Sequence, residues 1–194
     1  MNVDDVYNSD FYAINIANRH QYDRLGDAIH AVIPFAAVVE FGCGIGLTLA
    51  RLQQLGHSVT GFDGSTHAMH SAPAEVRRFM SVMDLTKDTP PPGTMAETTI
   101  CVEVAEHLPA DAADHLVETV AYASMDSIIW SAAPPGQGGV DHINEQPPEY
   151  WLDRFAARGW TPDAVATAAL RLLMLEWKAQ HFGARDSFHV LRQK

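Results

Sequence analysis

Two groups of residues carry the chemistry this chain is capable of. The first is Glu40-Phe-Gly42-Cys43-Gly44-Ile-Gly46, where an apolar run ends on an acid and then breaks into glycine at alternate positions. Glycine strips side chains from a sharp strand-to-helix turn, so a ligand can lie against bare backbone. Asp63 closes a second apolar run and Met83-Asp84 a third. An acid at the first of these ends can accept two hydrogen bonds from a ribose diol, and one at the second can reach an adenine amino group. Each feature also has a plainer reading: a tight turn for the glycines, a helix cap for Asp63 before Ser65, a surface turn for Asp84. Taken together and in this order they point to a nucleotide-like ligand.

The second group is Glu103, Glu106 and His107, followed by Asp141 and His142. The first three leave an apolar run and enter a helix, at the mouth of the same crevice. An imidazole with a pKa near neutrality suits removal of a proton from a hydroxyl nucleophile. Two carboxylates and two imidazoles also form a sensible set for Mg²⁺, Mn²⁺ or Zn²⁺. The plainer alternative has His107 packing and Glu106 facing solvent in a first helical turn, where the dipole favours acids.

These residues need a scaffold of alternating strands and helices, and the hydrophobic pattern supplies one. Leu25, Ala28, Ile29, Val32 and Ile33 recur at helical spacing before Pro34, within a first 33 residues that read as helical. Strands are expected at 37–41, 57–63, 78–83, 98–103 and 127–133, with helices at 47–55, 65–71, 108–121 and 147–158. Two more strands, near 163–167 and 187–191, would flank a helical stretch through 170–180. This alternation demands a mostly parallel sheet with helices on both faces. Leu47 stands where a dinucleotide fingerprint places its last glycine, which counts against NAD or FAD.

The chain has 194 residues, 47% of them hydrophobic, enough for one domain with a full core. Thirteen basic residues face 24 acidic ones, and the net charge of −11 argues against nucleic acid as a routine partner. Two cysteines, with no apolar run of membrane-spanning length, read as reduced thiols in a cytoplasmic protein. The acids Asp4, Asp5 and Asp10 stand where a signal peptide would want positive charge.

Four motifs make the sequence resemble the class I S-adenosylmethionine-dependent methyltransferases: Glu40–Gly46, Thr60-Gly-Phe-Asp-Gly-Ser65, Met83-Asp84-Leu85 and Cys101-Val-Glu-Val-Ala-Glu-His-Leu-Pro109. The later stretches Ser131–Gly139, His142-Ile-Asn-Glu-Gln and Tyr150-Trp151 are similar to a subgroup of small bacterial and phage methyltransferases. The resemblance implies a Rossmann-like α/β fold with a seven-stranded sheet at 36–194, preceded by a helical lid at 1–35. It implies S-adenosyl-L-methionine held by Glu40, Gly42, Cys43, Gly44, Gly46, Asp63, Gly64, Met83, Asp84 and Glu103. Glu40 and the glycines would lie by its methionine part, Asp63 at its ribose and Asp84 by its adenine. Its catalytic residues would be His107, His142, Glu103 and Glu106. The expected reaction is in-line O-methylation of a small polar molecule, such as a sugar or natural-product intermediate. The pattern Glu103-x-x-Glu106-His107 also looks like that of small-RNA 2′-O-methyltransferases and ubiquinone-pathway O-methyltransferases. A metal-assisted 2′-O- or N-methyltransferase, with Glu103, Glu106, His107 and His142 as ligands, is therefore one alternative. A non-catalytic cofactor-binding partner protein is another.

Overall fold

In the strand β1 (Ala37–Phe41), Val38 packs against one side of a sheet while Val39 and Phe41 pack against the other. That alternation, repeated in its neighbours, splits the core into two layers. The computed structural model describes residues 3–176 and 185–193. The N-terminal segment forms α1 (Val3–Val6), α2 (Ser9–Ala17) and α3 (Arg19–Val32) rather than one continuous helix. The break before α2 is set by Asn8, whose side chain accepts from the amides of Asp10 and Phe11.

After β1 come α4 (Leu47–Gln54), β2 (Ser58–Asp63), α5 (Thr66–Ser71), α6 (Ala74–Arg77) and β3 (Met80–Val82). The second half contains β4 (Ala96–Val102), α7 (Ala113–Ala123), β5 (Ser124–Ser131), α8 (Pro148–Ala156), β6 (Trp160–Pro162), α9 (Ala164–Glu176) and β7 (His189–Gln193). The seven strands lie in the order β3-β2-β1-β4-β5-β7-β6. Strands β1 to β5 pair in parallel, and β7 runs antiparallel between β5 and β6. This is the Rossmann-like sheet the sequence implied. The chain winds outward in both directions from β1 and β4, and that reversal opens a crevice at their carboxyl ends. One core layer joins α3, α4 and α9 through Leu25, Ile29, Leu49, Leu52 and Leu170, and the other joins α7 and α8 through Leu116, Val120, Trp151 and Phe155.

Two expected elements differ. The strand expected at 163–167 ends at Pro162, because Asp163 accepts from the amide of Ala166 at 2.9 Å and starts α9 instead. The helix expected from residue 108 begins only at Ala113, since Pro109 holds the chain in two short 3₁₀ turns at 105–107 and 110–112. The expected helix through 170–180 is seen as far as Glu176, and its remainder lies outside the described residues. Among the described residues no helix is long and apolar enough to cross a membrane.

Candidate functional site

The turn after β1 takes glycine at three positions, but for different reasons. Gly42, Gly44 and Gly46 all have left-handed backbone, with φ of +71°, +52° and +70°. A Cβ at Gly42 would lie 2.2 Å from Val104, and one at Gly46 2.7 Å from the Met80 sulfur. Packing alone therefore excludes side chains there. At Gly44 the nearest neighbour is the Tyr12 ring at 3.7 Å, so this glycine is the one that presents bare backbone to the crevice. The amides of Gly42 and Cys43 both donate to the Phe62 carbonyl, at 2.7 and 3.0 Å, which ties the turn to the end of β2.

Asp63 is the hub of this side. Its Oδ2 accepts from the Gly44 amide at 2.7 Å, and its Oδ1 accepts from the Ser65 amide at 2.9 Å and the Tyr12 hydroxyl at 3.5 Å. Burial raises its pKa, and the two amides pull it back down. Glu40 lies on the Val38 face of β1, buried, with Oε2 unpartnered among the described residues. Burial, then the nearby Asp63 charge, pushes its carboxyl up to about 8. Cys43 is buried and its thiol is raised by burial, so it is inert. Gly64 and Met83 adjoin each other beyond β2 and β3. Asp84 is engaged within its own turn: Oδ1 accepts from the Thr86 amide and hydroxyl, and Oδ2 pairs with Lys87 at 2.9 Å.

The N-terminal helices cover this bank. Asp4 accepts from the amide and hydroxyl of Thr66 and from the Ser65 hydroxyl, and so latches the segment to α5. Tyr12, 2% exposed, packs on Ile45, Leu47 and Ala68, and the Tyr7 ring meets His107 edge-on at 5.6 Å.

The opposite bank is built from the ends of β4 and β5. Among the described residues Glu106, 0% exposed, has no hydrogen-bond partner for either oxygen. Burial, then the neighbouring Glu103, pushes it up to about 8; the Ala133 and Glu106 amides oppose this without reaching hydrogen-bonding geometry. His107 Nε2 stands 4.0 Å from Glu106 Oε1, while its Nδ1 faces the Asp141 carbonyl at 3.3 Å. Burial lowers the His107 pKa, so the ring is neutral with its proton on Nδ1 and the lone pair on Nε2. His142 meets His107 edge-on at 4.9 Å, and one donor atom from each of Glu106, His107 and His142 falls within 4.8 Å of the others.

Glu103 stands apart from this triad. Its Oε1 accepts from the Ser131 hydroxyl at 2.7 Å and its Oε2 from the Gln137 amide at 3.0 Å. Among the described residues Glu103 and Asp141 are the two non-glycine residues with left-handed backbone, at φ +55° and +58°, a strain of about 1–3 kcal/mol each. Loop 132–147 is tethered through the amides of Ile143 and Asn144, which both donate to the Glu106 carbonyl at 2.9 Å, as well as through Gln137 and the Asp141 carbonyl. Sequence reasoning overlooked Ser131 and Gln137 because their partner Glu103 lies far away in the chain, and Glu145 because its contacts to Gly136, Gly138 and His142 depend on how the loop folds back on itself. The glycine-rich composition of the loop gave no hint of which side chain braces it.

A methyltransferase-domain family model matches residues 39–122, from β1 through most of α7. A search of curated proteins found no match. Among solved structures the chain is similar to magnesium protoporphyrin IX methyltransferase from Synechocystis PCC 6803 with bound S-adenosylhomocysteine. The identity is 19% and the TM-score 0.61, over 80% of this chain and 78% of that one. A TehB-like S-adenosylmethionine-dependent methyltransferase from Corynebacterium glutamicum aligns at 19% identity and TM-score 0.60 over 88% of each chain. An O-methyltransferase of a Brevibacillus brevis trans-AT polyketide synthase multienzyme, in complex with S-adenosylhomocysteine, aligns at 14% identity and TM-score 0.57 over 82% of this chain and 67% of that one. At such identities the likeness is one of fold. The family match over residues 39–122, the sheet order and the glycine turn all agree with the methyltransferase fold of these structures.

Proposed function

We propose that the protein methylates an oxygen of a small polar acceptor, such as a sugar or natural-product intermediate, within a single domain lidded by its N-terminal helices. The observation that carries this reading is the pair of imidazoles across the crevice from Asp63. Each has its Nδ1 turned to an acceptor, so each keeps an Nε2 lone pair able to take a hydroxyl proton. The residues fit the donor: Gly44 offers bare backbone, and Asp63, already oriented by two amides, has remaining lone pairs for ribose hydroxyls. Glu40 would lie by the amino-acid end. When bound, S-adenosylmethionine supplies a methyl group already activated on a sulfonium, which leaves the protein the work of placement and proton removal. Tyr12 and Tyr7 exclude water from above, and the strained Glu103 and Asp141 backbones hold the acceptor side in shape. The O-methyltransferase among the similar folds agrees with this chemistry. The net charge of −11 disfavours nucleic acid as the acceptor.

One observation favours a second reading. A fully buried carboxylate without a partner, beside two imidazoles with donor atoms inside 4.8 Å, is a chemically apt cation site. Glu106, His107 and His142 would then hold a divalent ion in a metal-assisted 2′-O- or N-methyltransferase, with Glu103 outside the set. Calorimetry with S-adenosylmethionine and S-adenosylhomocysteine, with and without EDTA and added Mn²⁺, tests both readings. The first predicts cofactor binding indifferent to EDTA and no Mn²⁺ heat. Saturable Mn²⁺ binding lost in Glu106→Gln supports the second, and absence of cofactor binding under every condition overturns both.

A further inference from the structure

Glu145 has no part in the roles assigned so far, yet its geometry is that of a built brace. Its Oε1 accepts from His142 Nδ1 at 3.0 Å and from the Gly138 amide at 2.6 Å, and its Oε2 accepts from the Gly136 amide at 2.7 Å. A carboxylate is an acceptor only, so the His142 nitrogen facing it must carry the proton. In its neutral form the ring is then the Nδ1–H tautomer, with its lone pair on Nε2. From the other side the ring is confined by Gly139, where a Cβ would come within 2.2 Å of Nε2. Residue 139 is glycine because the imidazole fills that space.

From this geometry we infer that Glu145 is a positioning residue, which sets the tautomer and orientation of His142 and makes His142 the proton-accepting imidazole of the pair. The comparison with His107 supports the assignment. His107 leans on a neutral carbonyl at 3.3 Å, whereas His142 leans on a carboxylate that two amides hold still. A carboxylate stabilises the imidazolium that forms as a proton arrives, and a lone carbonyl does so less. The inference rests on the metal-free reading of the site, but the tautomer itself can be read without any acceptor substrate.

Long-range ¹H–¹⁵N spectra of the imidazole rings, recorded on the full chain at about pH 8 and assigned with His142→Gln, provide the test. The wild-type protein should show His142 with Nδ1 protonated and Nε2 bare. In Glu145→Gln that pattern should collapse toward exchange between both tautomers, while His107 keeps its own pattern. A wild-type His142 protonated on Nε2 overturns the inference. So does an unchanged Glu145→Gln spectrum in which the Ile143 and Asn144 amides remain protected from exchange. If those amides lose protection in the variant, the loop has opened and the wild-type spectrum alone decides. S-adenosylhomocysteine titrated into the same wild-type sample tests the broader reading separately: its failure to bind removes the methyltransferase mechanism and leaves the tautomer result standing.

Discussion

Asp63 and Glu106 are both acids turned inward at strand ends, on opposite banks of one crevice, yet they live under opposite conditions. Asp63 is met by two backbone amides and a tyrosine hydroxyl, while Glu106 is met by none within hydrogen-bonding reach. A satisfied acid is a fixed acceptor, ready to grip a ligand without rearrangement. An unsatisfied one is costly to keep and persists where something must come to it: a proton, a cation or a substrate. The first bank is built to hold and the second to react.

The largest effect should come from the reacting bank. Replacing His142 with alanine should slow methyl transfer about 10²–10⁴-fold if it is the base, with a smaller loss for His107→Ala. Near-normal turnover in both variants, measured with labelled donor, would erase the difference between the banks. On the holding bank, Gly42→Ala drives a Cβ against Val104 from a backbone at φ +71° and should lower stability by about 2–5 kcal/mol in urea unfolding. Gly44→Ala meets no such clash and should lose only about 1 kcal/mol of stability while weakening S-adenosylhomocysteine binding more than Gly42's packing role would predict.

Asp63→Asn keeps an acceptor for one amide but not both, and should weaken S-adenosylhomocysteine about 10–100-fold by calorimetry. The smallest effect is on stability against pH. Glu106 holds its proton up to about 8, whereas an exposed glutamate releases it near 4.5, so across that window the folded protein binds more protons than the unfolded chain. Stability should therefore fall as pH rises from about 4.5 to about 8, with Glu40 contributing in the same sense. Glu106→Gln should flatten part of that slope and add about 1–3 kcal/mol at the alkaline end. A slope identical to wild type would mean that Glu106 is paired after all.

The two banks were also unequally legible in the sequence. The holding bank is local: apolar run, glycine turn and acid recur within a few dozen residues, so periodicity and turn chemistry place Glu40, Gly42–Gly46 and Asp63 in β1, the turn and β2. What sequence does not reveal is that Gly42 and Gly46 answer to Val104 and Met80 rather than to a ligand, since both partners are set by tertiary packing. The reacting bank is non-local. Glu106, His107 and His142 were visible as residue types, but Glu103 carried the same signal and turns out to be occupied by Ser131 and Gln137. Asp163 was read as a strand residue because a cap is invisible to alternation.

The loop that delivers His142 is pegged through the amides of residues 143 and 144 to the main-chain oxygen of Glu106, the residue immediately before His107. That atom, with the Asp141 carbonyl against His107 and the Glu145 brace on His142, helps set the spacing of two rings drawn from distant stretches of chain. A lesion confined to the short 3₁₀ turn at 105–107 would misplace both imidazoles together, and a scan that altered only side chains would leave this main-chain tether in place.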